Sequence, residues 1–241
     1  MRRGEYGYDA PYALAIFGFL AMAAGLAAAI QWWSRAIPAA AQMTLVCGLF
    51  LANFLSFLYT TRRGKFQEWE RILDLIELRG DETALDMGCG RGAVLTALAR
   101  RLPRGRAIGV DIWSRKDQWG NGKDAALRNA ALEGVGERVE IETADMRALP
   151  FSDARFDVVV SSLAIHNIPS DADRQRAIAE AFRVVKPGGR MAIADIRATA
   201  AYAKTLRKLG AVKIERRRLG WRFWWGNPAA ATRLLTASKP G

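Results

Sequence analysis

The residues best suited to ligand chemistry form the short stretch DMGCGRG at residues 86–92. It follows an apolar run and precedes a helix-like one, a pattern typical of a strand–turn–helix unit. The glycines at 88, 90 and 92 let the backbone turn sharply and approach a ligand, because they lack a Cβ that would block either. The stretch also fits the dinucleotide pattern of many dehydrogenases. By itself it therefore predicts a nucleotide-like ligand without specifying which.

Further polar side chains lie at the ends of two later strands of the predicted sheet. Asp111 lies about twenty residues beyond the glycine turn, where a carboxylate can accept hydrogen bonds from both hydroxyls of a ribose. The alternative is an ordinary loop aspartate.

The single histidine, His166, follows the fourth predicted strand, in a loop that borders the carboxyl ends of the strands, where ligands bind. It is either a general base that removes a proton from an attacking hydroxyl, thiol or amine, or a positioning or packing residue. Asn167 is an equally suitable polar contact for an acceptor.

The elements that position these groups alternate between strand and helix. Strands are predicted at 84–87, 106–110, 139–143, 157–161, 190–194, 212–216 and 233–237, and helices at 93–101, 123–133, 171–184 and 200–209. This alternation predicts an α/β fold with a doubly wound, mostly parallel, seven-stranded Rossmann-like sheet. Residues 66–79 place apolar side chains on one helical stripe, which either packs on the domain or binds a membrane surface.

The motifs between residues 84 and 195 together resemble those of class I S-adenosylmethionine-dependent methyltransferases. They are D-x-G-x-G-x-G at 86–92, ADM at 144–146, RFDVV at 155–159 and VVKPGGR at 184–190, in the order of that family. The dehydrogenase alternative loses support, since no Tyr-x-x-x-Lys pair follows and the predicted strand at 233–237 has no place in that fold. The absence of an Asn-Pro-Pro-Tyr type of motif also disfavours a nucleobase or glutamine amino group as acceptor.

The resemblance implies S-adenosylmethionine as the cofactor, no metal, and a defined role for each matching residue. Asp86, Gly88 and Gly90 would lie against the methionine part of the cofactor and Asp111 against its ribose. Asp145 would reach the adenine amino group, with Ile112 and Met146 on either side of the ring, and Ser161 or Ser162 would lie at the opening of the site. Trp113 and Trp119 flank a polar stretch, residues 114–122, that we expect to form a lid.

Two uncharged apolar segments precede this domain, at residues 12–30 and 37–59, and aromatic residues close both of them. Each segment is long enough to span a bilayer. We therefore expect a membrane anchor at 1–61 with two transmembrane helices at about 12–33 and 37–59, a linker with an amphipathic helix at 62–82, and the methyltransferase domain at 83–241. A cleaved signal peptide is the alternative. Basic residues at the outer ends of the hairpin predict a two-span membrane protein with both termini and the catalytic domain in the cytoplasm.

The net charge of +12, from 36 basic and 24 acidic residues, lies mainly outside the apolar segments. It suits anionic lipid head groups or nucleic acid, as does the cluster of Trp221, Phe223, Trp224 and Trp225 beside several arginines. Alternatively, some of these aromatic residues simply close the sheet. The two cysteines have no obvious partner, which suits a reducing compartment.

The expected function is a membrane-anchored methyltransferase whose partners are the lipid bilayer and a lipophilic or lipid-associated small-molecule acceptor, methylated by direct displacement. A nucleic-acid methyltransferase and a non-catalytic cofactor-binding module are the alternatives, and nucleic acid is the less favoured partner. The sequence makes no prediction about the oligomeric state.

Overall fold

The computed structural model describes residues 2–114, 118 and 120–241. Its first part is a helical hairpin formed by α1 (Pro11–Trp33) and α2 (Ile37–Tyr59). The second helix continues through a π-helical turn at Thr60–Gly64 into α3 (Lys65–Ile76). Within the described residues, α1 and this continuous helix are the two helices long and apolar enough to cross a membrane. The boundary expected at residue 61 thus falls inside an unbroken helix.

The second part is a seven-stranded sheet, as the alternation of strand and helix patterns predicts. Its strands are β1 (Thr83–Met87), β2 (Arg106–Asp111), β3 (Val139–Thr143), β4 (Phe156–Ser162), β5 (Val185–Asp195), β6 (Val212–Arg218) and β7 (Arg233–Ser238). Their order is β3-β2-β1-β4-β5-β7-β6, and only β7 runs antiparallel to its neighbours. The remaining long helices are α4 (Ala93–Arg101), α5 (Lys123–Leu132), α6 (Asp171–Val184) and α7 (Thr199–Lys208). The prediction of a doubly wound, mostly parallel sheet is therefore confirmed.

The largest difference from the predicted elements is at the start of β5. The sequence predicts a strand at 190–194, whereas β5 already begins at Val185. Its pairing with β4 passes from Phe156↔Val185 to Val158↔Arg190. The intervening residues therefore bulge out of the ladder, with Gly188 at a φ of 75°. The earlier start of β5 depends on pairing with the neighbouring strand, which no local pattern shows.

The helix α3 packs into the main hydrophobic core. Trp69, Ile72, Leu73 and Ile76 are all buried there, together with residues of β1 and α4. Of the two interpretations of its apolar stripe, packing on the domain is therefore correct.

The aromatic cluster near the C-terminus packs on the end of the hairpin. The rings of Phe57 and Trp225 meet edge to face with centroids 5.0 Å apart, and those of Tyr59 and Trp221 stack at 5.0 Å. The approach is close enough that a Cβ on Gly64 would lie 1.8 Å from the carbonyl oxygen of Arg222. The base of the hairpin is thus seated on the sheet domain rather than tethered loosely to it.

Candidate active site

A cavity of about 550 Å³ lies at the carboxyl ends of β1, β2, β3 and β4. Parallel strands present their carboxyl ends at one edge of the sheet, and ligands of such folds bind there. Nine of the ten site residues predicted from the sequence line the cavity: Asp86, Gly88, Gly90, Asp111, Ile112, Asp145, Met146, His166 and Asn167. The fold thus brings together residues that are up to 81 positions apart in the chain.

The tenth predicted residue, Ser161, requires a correction. Its side chain is buried, and its hydroxyl donates to the carbonyl of Met87 at 2.8 Å, beneath the glycine turn. Because side chains alternate along a strand, the neighbouring Ser162 faces the cavity instead. Of the two serines that the resemblance allowed, Ser162 is the one at the site. Part of the expected lid, including Trp119, lies outside the described residues.

The glycine turn is fixed by steric demands that only glycine meets. Gly88 has a φ of 77°, and a Cβ at this position would lie 2.2 Å from the Cβ of Ala164. The Gly88 amide donates to the carbonyl of Val110 at 2.8 Å, which joins the turn to β2. Any side chain at residue 88 would force apart the turn and the loop that contains His166.

Asp111 also helps to shape the turn. Its Oδ2 accepts a hydrogen bond from the Gly90 amide at 2.8 Å, and its Oδ1 accepts one from the Trp113 amide at 2.7 Å. A carboxylate has about four lone pairs and can accept more than two hydrogen bonds. Binding of ribose hydroxyls by Asp111 stays a prediction that this geometry permits.

Asp86 is buried, and neither of its carboxylate oxygens has a well-formed hydrogen bond among the described residues, although the backbone amide of Leu95 acts to lower its pKa. Burial and the nearby negative charge of Asp111 raise its pKa to about 8. An unpaired carboxyl buried beside a cavity is costly unless a cationic ligand compensates it. The α-ammonium group of S-adenosylmethionine is such a ligand, so this orphaned carboxyl fits the cofactor that the resemblance implies.

Asp145 is paired with a residue that the sequence did not single out. Arg147 reaches Oδ2 of Asp145 with its Nη2 at 2.6 Å, and both side chains line the cavity. The hydrogen bond from Arg147 holds the pKa of Asp145 below its ordinary value. The carboxylate is therefore charged at neutral pH and can accept a hydrogen bond from an amino group, as the predicted adenine contact requires.

His166 has a carboxylate partner that was also missed. Its Nδ1 lies 2.6 Å from Oδ1 of Asp195, a fully buried residue at the end of β5, although the ring N–H is not well aligned with that oxygen. The carboxylate is held by the amides of His166 and Ile196 and by the hydroxyl of Tyr202. Asp195 follows an apolar strand just as Asp111 does, so the same rule could have found it.

The remaining wall of the cavity is aromatic and comes from outside the resemblance. Phe57 of α2, Phe66 and Trp69 of α3, and Trp225 all line it. The indole Nε1 of Trp69 donates to Oγ of Ser162 at 2.8 Å, which links this wall to β4. No pattern in the sequence indicated this wall, because it forms only when the end of the hairpin meets the sheet.

Comparison with known proteins agrees with this geometry. Residues 85–193, from β1 to β5, match the family model described as "Methyltransferase domain". The solved geranyl diphosphate C-methyltransferase from Streptomyces coelicolor A3(2), in complex with Mg²⁺, geranyl diphosphate and S-adenosyl-L-homocysteine, aligns over 74% of this chain and 80% of its own. Its TM-score is 0.60 at 17% sequence identity, which shows the shared fold.

Two curated relatives match about half of the chain. The 27-O-demethylrifamycin SV methyltransferase of Amycolatopsis mediterranei (strain S699) is 34% identical over 128 residues, which are 52% of this chain and 43% of the relative. The ubiquinone/menaquinone biosynthesis C-methyltransferase UbiE of Dinoroseobacter shibae (strain DSM 16493 / NCIMB 14021 / DFL 12) is 29% identical over 133 residues, 55% of this chain and 50% of the relative. The chain thus spans half or less of the length of these two proteins.

The chain therefore has the fold of class I methyltransferases. Residues 85–193 match a methyltransferase domain, and the cofactor of such a domain is S-adenosylmethionine. The aromatic wall and the hairpin lie outside the matched residues.

Proposed function

We propose that this chain is a membrane-anchored methyltransferase that transfers the methyl group of S-adenosylmethionine to a lipophilic small-molecule acceptor by direct displacement. The observation that best supports this is the composition of the cavity. Its polar half contains the predicted donor-binding residues, and its aromatic half includes Phe57, in the last turn of the second apolar helix.

The donor half would hold the cofactor through complementary charge. Asp86 would pair with the α-ammonium, Asp111 would bind the ribose hydroxyls, and Asp145 would accept from the adenine amino group, with Ile112 and Met146 against the ring. When bound, the cofactor supplies an electrophilic methyl group on a sulfonium. The chain's own main contribution is to orient donor and acceptor, which can lower the barrier by roughly 7–11 kcal/mol.

For a hydroxyl acceptor, we assign His166 as the general base and Asp195 as its positioning residue. When the imidazole proton is on Nδ1, towards Asp195, Nε2 has a free lone pair. Nε2 can then remove the proton from the hydroxyl that receives the methyl group. The carboxylate 2.6 Å from Nδ1 then stabilises the imidazolium that forms. An acceptor that needs no proton removal would leave His166 with a positioning role only.

The hairpin supports both the anchor and the lipophilic acceptor. Many of its apolar side chains are exposed, among them Phe19, Met22, Leu26, Leu45 and Leu49, and such a surface is stabilised by contact with lipid. One relative is named for ubiquinone and menaquinone biosynthesis, which is consistent with a lipophilic acceptor. Basic residues at the outer ends of the hairpin favour a cytoplasmic methyltransferase domain.

Reconstitution of the full chain tests this proposal. The protein, in liposomes of phosphatidylethanolamine and phosphatidylglycerol, is incubated with S-adenosylmethionine labelled in its methyl group and with a total lipid extract. We expect label in the organic phase with the wild type and at least a tenfold loss with Asp111→Ala. Label in added RNA, but not in lipid, would contradict the proposed acceptor. Failure of the wild type to bind S-adenosylhomocysteine in calorimetry would refute the methyltransferase itself.

A further inference from the structure

The residues ahead of the first apolar helix, 2–10, pack against the methyltransferase domain. We name this segment the N-terminal strap. Tyr6 is buried, and its hydroxyl lies 2.8 Å from Oγ1 of Thr96 in α4 and 3.1 Å from Oε1 of Glu133. The Glu133 carboxylate also accepts hydrogen bonds from the backbone amides of Arg3 and Gly4. The strap is therefore held by specific polar contacts, although nothing in the methyltransferase motifs includes it.

One side-chain amide joins the strap to the glycine turn from the side of β2. Oε1 of Gln118 accepts a hydrogen bond from the backbone amide of Arg91 at 3.0 Å. Its Nε2 donates to Oδ1 of Asp9 at 3.1 Å and to the carbonyl of Tyr6 at 3.3 Å. A single glutamine thus links the strap to the middle of the turn.

A second side-chain amide does the same from the side of α5. Nδ2 of Asn129 donates to the carbonyl of Arg91 at 2.8 Å and to the carbonyl of Glu5 at 3.0 Å, while its Oδ1 accepts the Glu5 amide at 2.8 Å. The side chain of Asn129 is buried. The backbone N–H and C=O of Arg91 are therefore both hydrogen-bonded, one to Gln118 and the other to Asn129. Both of these side-chain amides are also bonded to the strap.

The strap is in turn bonded to the exit of the hairpin. Oδ2 of Asp9 accepts a hydrogen bond from Oγ1 of Thr61 at 2.9 Å and lies 2.5 Å from Nζ of Lys65. Both partners follow α2 directly, and Lys65 is buried. A continuous set of polar contacts thus leads from the hairpin through Asp9 and Gln118 to the glycine turn.

We propose that Gln118 and Asn129 are positioning residues of the methyl-donor site, through which the N-terminal strap holds the glycine turn in its cofactor-binding shape. The inference rests on the proposed function, because it takes the glycine turn to be where the donor binds. The turn needs such support, since its three glycines have positive φ and lose more conformational entropy on ordering than other residues. Donor affinity then depends on the seating of the hairpin, to which the strap is bonded through Asp9.

Calorimetric titration of the full chain in detergent micelles with S-adenosylhomocysteine tests this inference. Asp9→Ala and Gln118→Ala are each expected to weaken binding about five- to tenfold, the usual effect of losing one hydrogen bond. Because the two residues act through one contact, the double variant should lose less than the product of the two single effects. Hydrogen exchange at the amides of residues 90–92 should accelerate in the same variants.

Glu5→Ala is the matched control. It removes one acidic charge from the same strap, but the contacts of Glu5 with Asn129 use only its backbone, so its affinity should equal that of the wild type. Unchanged affinity in Gln118→Ala, multiplicative effects in the double variant, or an equal loss in Glu5→Ala would each overturn the inference. If Asp9→Ala does not fold, the affinity of Gln118→Ala alone tests the inference, because the Gln118 side chain contributes nothing to the hydrophobic core. Failure of the wild type to bind would instead refute the proposed function.

Discussion

Donor binding is expected to release a proton from Asp86. Without ligand this carboxyl has a pKa of about 8, raised by burial and by the neighbouring charge of Asp111. At pH 7 it is therefore about nine-tenths protonated. A bound ammonium group favours the carboxylate and returns the pKa towards its ordinary value of about 4. Binding of S-adenosylhomocysteine at pH 7 should then release close to one proton.

The same shift sets the pH dependence of affinity. With the free carboxyl titrating near pH 8 and the bound one well below pH 6, linkage predicts about fifty-fold tighter binding at pH 8 than at pH 6. The stability of the unliganded protein should change in the opposite direction. Its free energy of unfolding falls as pH rises from about 4 to about 8, because only the unfolded state ionises this group easily. Asp86→Asn removes both effects, since an amide does not titrate.

Calorimetry in phosphate and in Tris buffers, whose ionisation enthalpies differ, counts the protons directly. Asp86→Asn should bind more weakly and release none. Asp145→Asn is the control, because Asp145 lines the same cavity but its pKa is lowered by Arg147, so it is already charged. Equal heats in the two buffers for the wild type, or proton release that persists in Asp86→Asn, would refute the assignment of Asp86 to the cationic end of the donor.

Three further substitutions test other parts of the molecule. Asp195→Asn should lower kcat by about a hundredfold while leaving the KM for S-adenosylmethionine within about twofold; a KM effect alone, in steady-state kinetics, would argue against its role in proton transfer. Gly88→Ala should abolish S-adenosylhomocysteine binding in calorimetry, because its Cβ would lie 2.2 Å from that of Ala164, whereas Gly220→Ala, with open space around it, should bind normally. Leu49→Arg, exposed within the second apolar helix, adds about 2.5–3.5 kcal/mol to the free energy of membrane insertion. It should reduce flotation with liposomes relative to Leu49→Ala; equal flotation of the two variants would contradict a spanning helix.

The donor half of the site could be predicted from the sequence because its chemistry depends on local pattern. A strand followed by glycines, or by an aspartate, puts those residues at the carboxyl edge of a parallel sheet whatever the rest of the chain does. Asp111 was found in this way, and Asp86 and Asp145 through the resemblance to the methyltransferase motifs. All three line one cavity. The error at Ser161 was one of register, since a shift of one residue along a strand reverses the face on which a side chain lies.

The aromatic half of the site, and the partners of the predicted residues, depend on contacts between distant segments. No local pattern shows that Phe57 of the hairpin lies beside the cavity, that Asp195 meets His166, or that Asp9 reaches the glycine turn through Gln118. The sequence by itself determined a mostly parallel sheet behind two apolar helices, because hydrophobic periodicity and glycine geometry act over a few residues. Its series of motifs carried the resemblance to class I methyltransferases. Only the tertiary structure decided that the hairpin and the residues before it form part of the site, because that depends on which surfaces pack together once the sheet has formed.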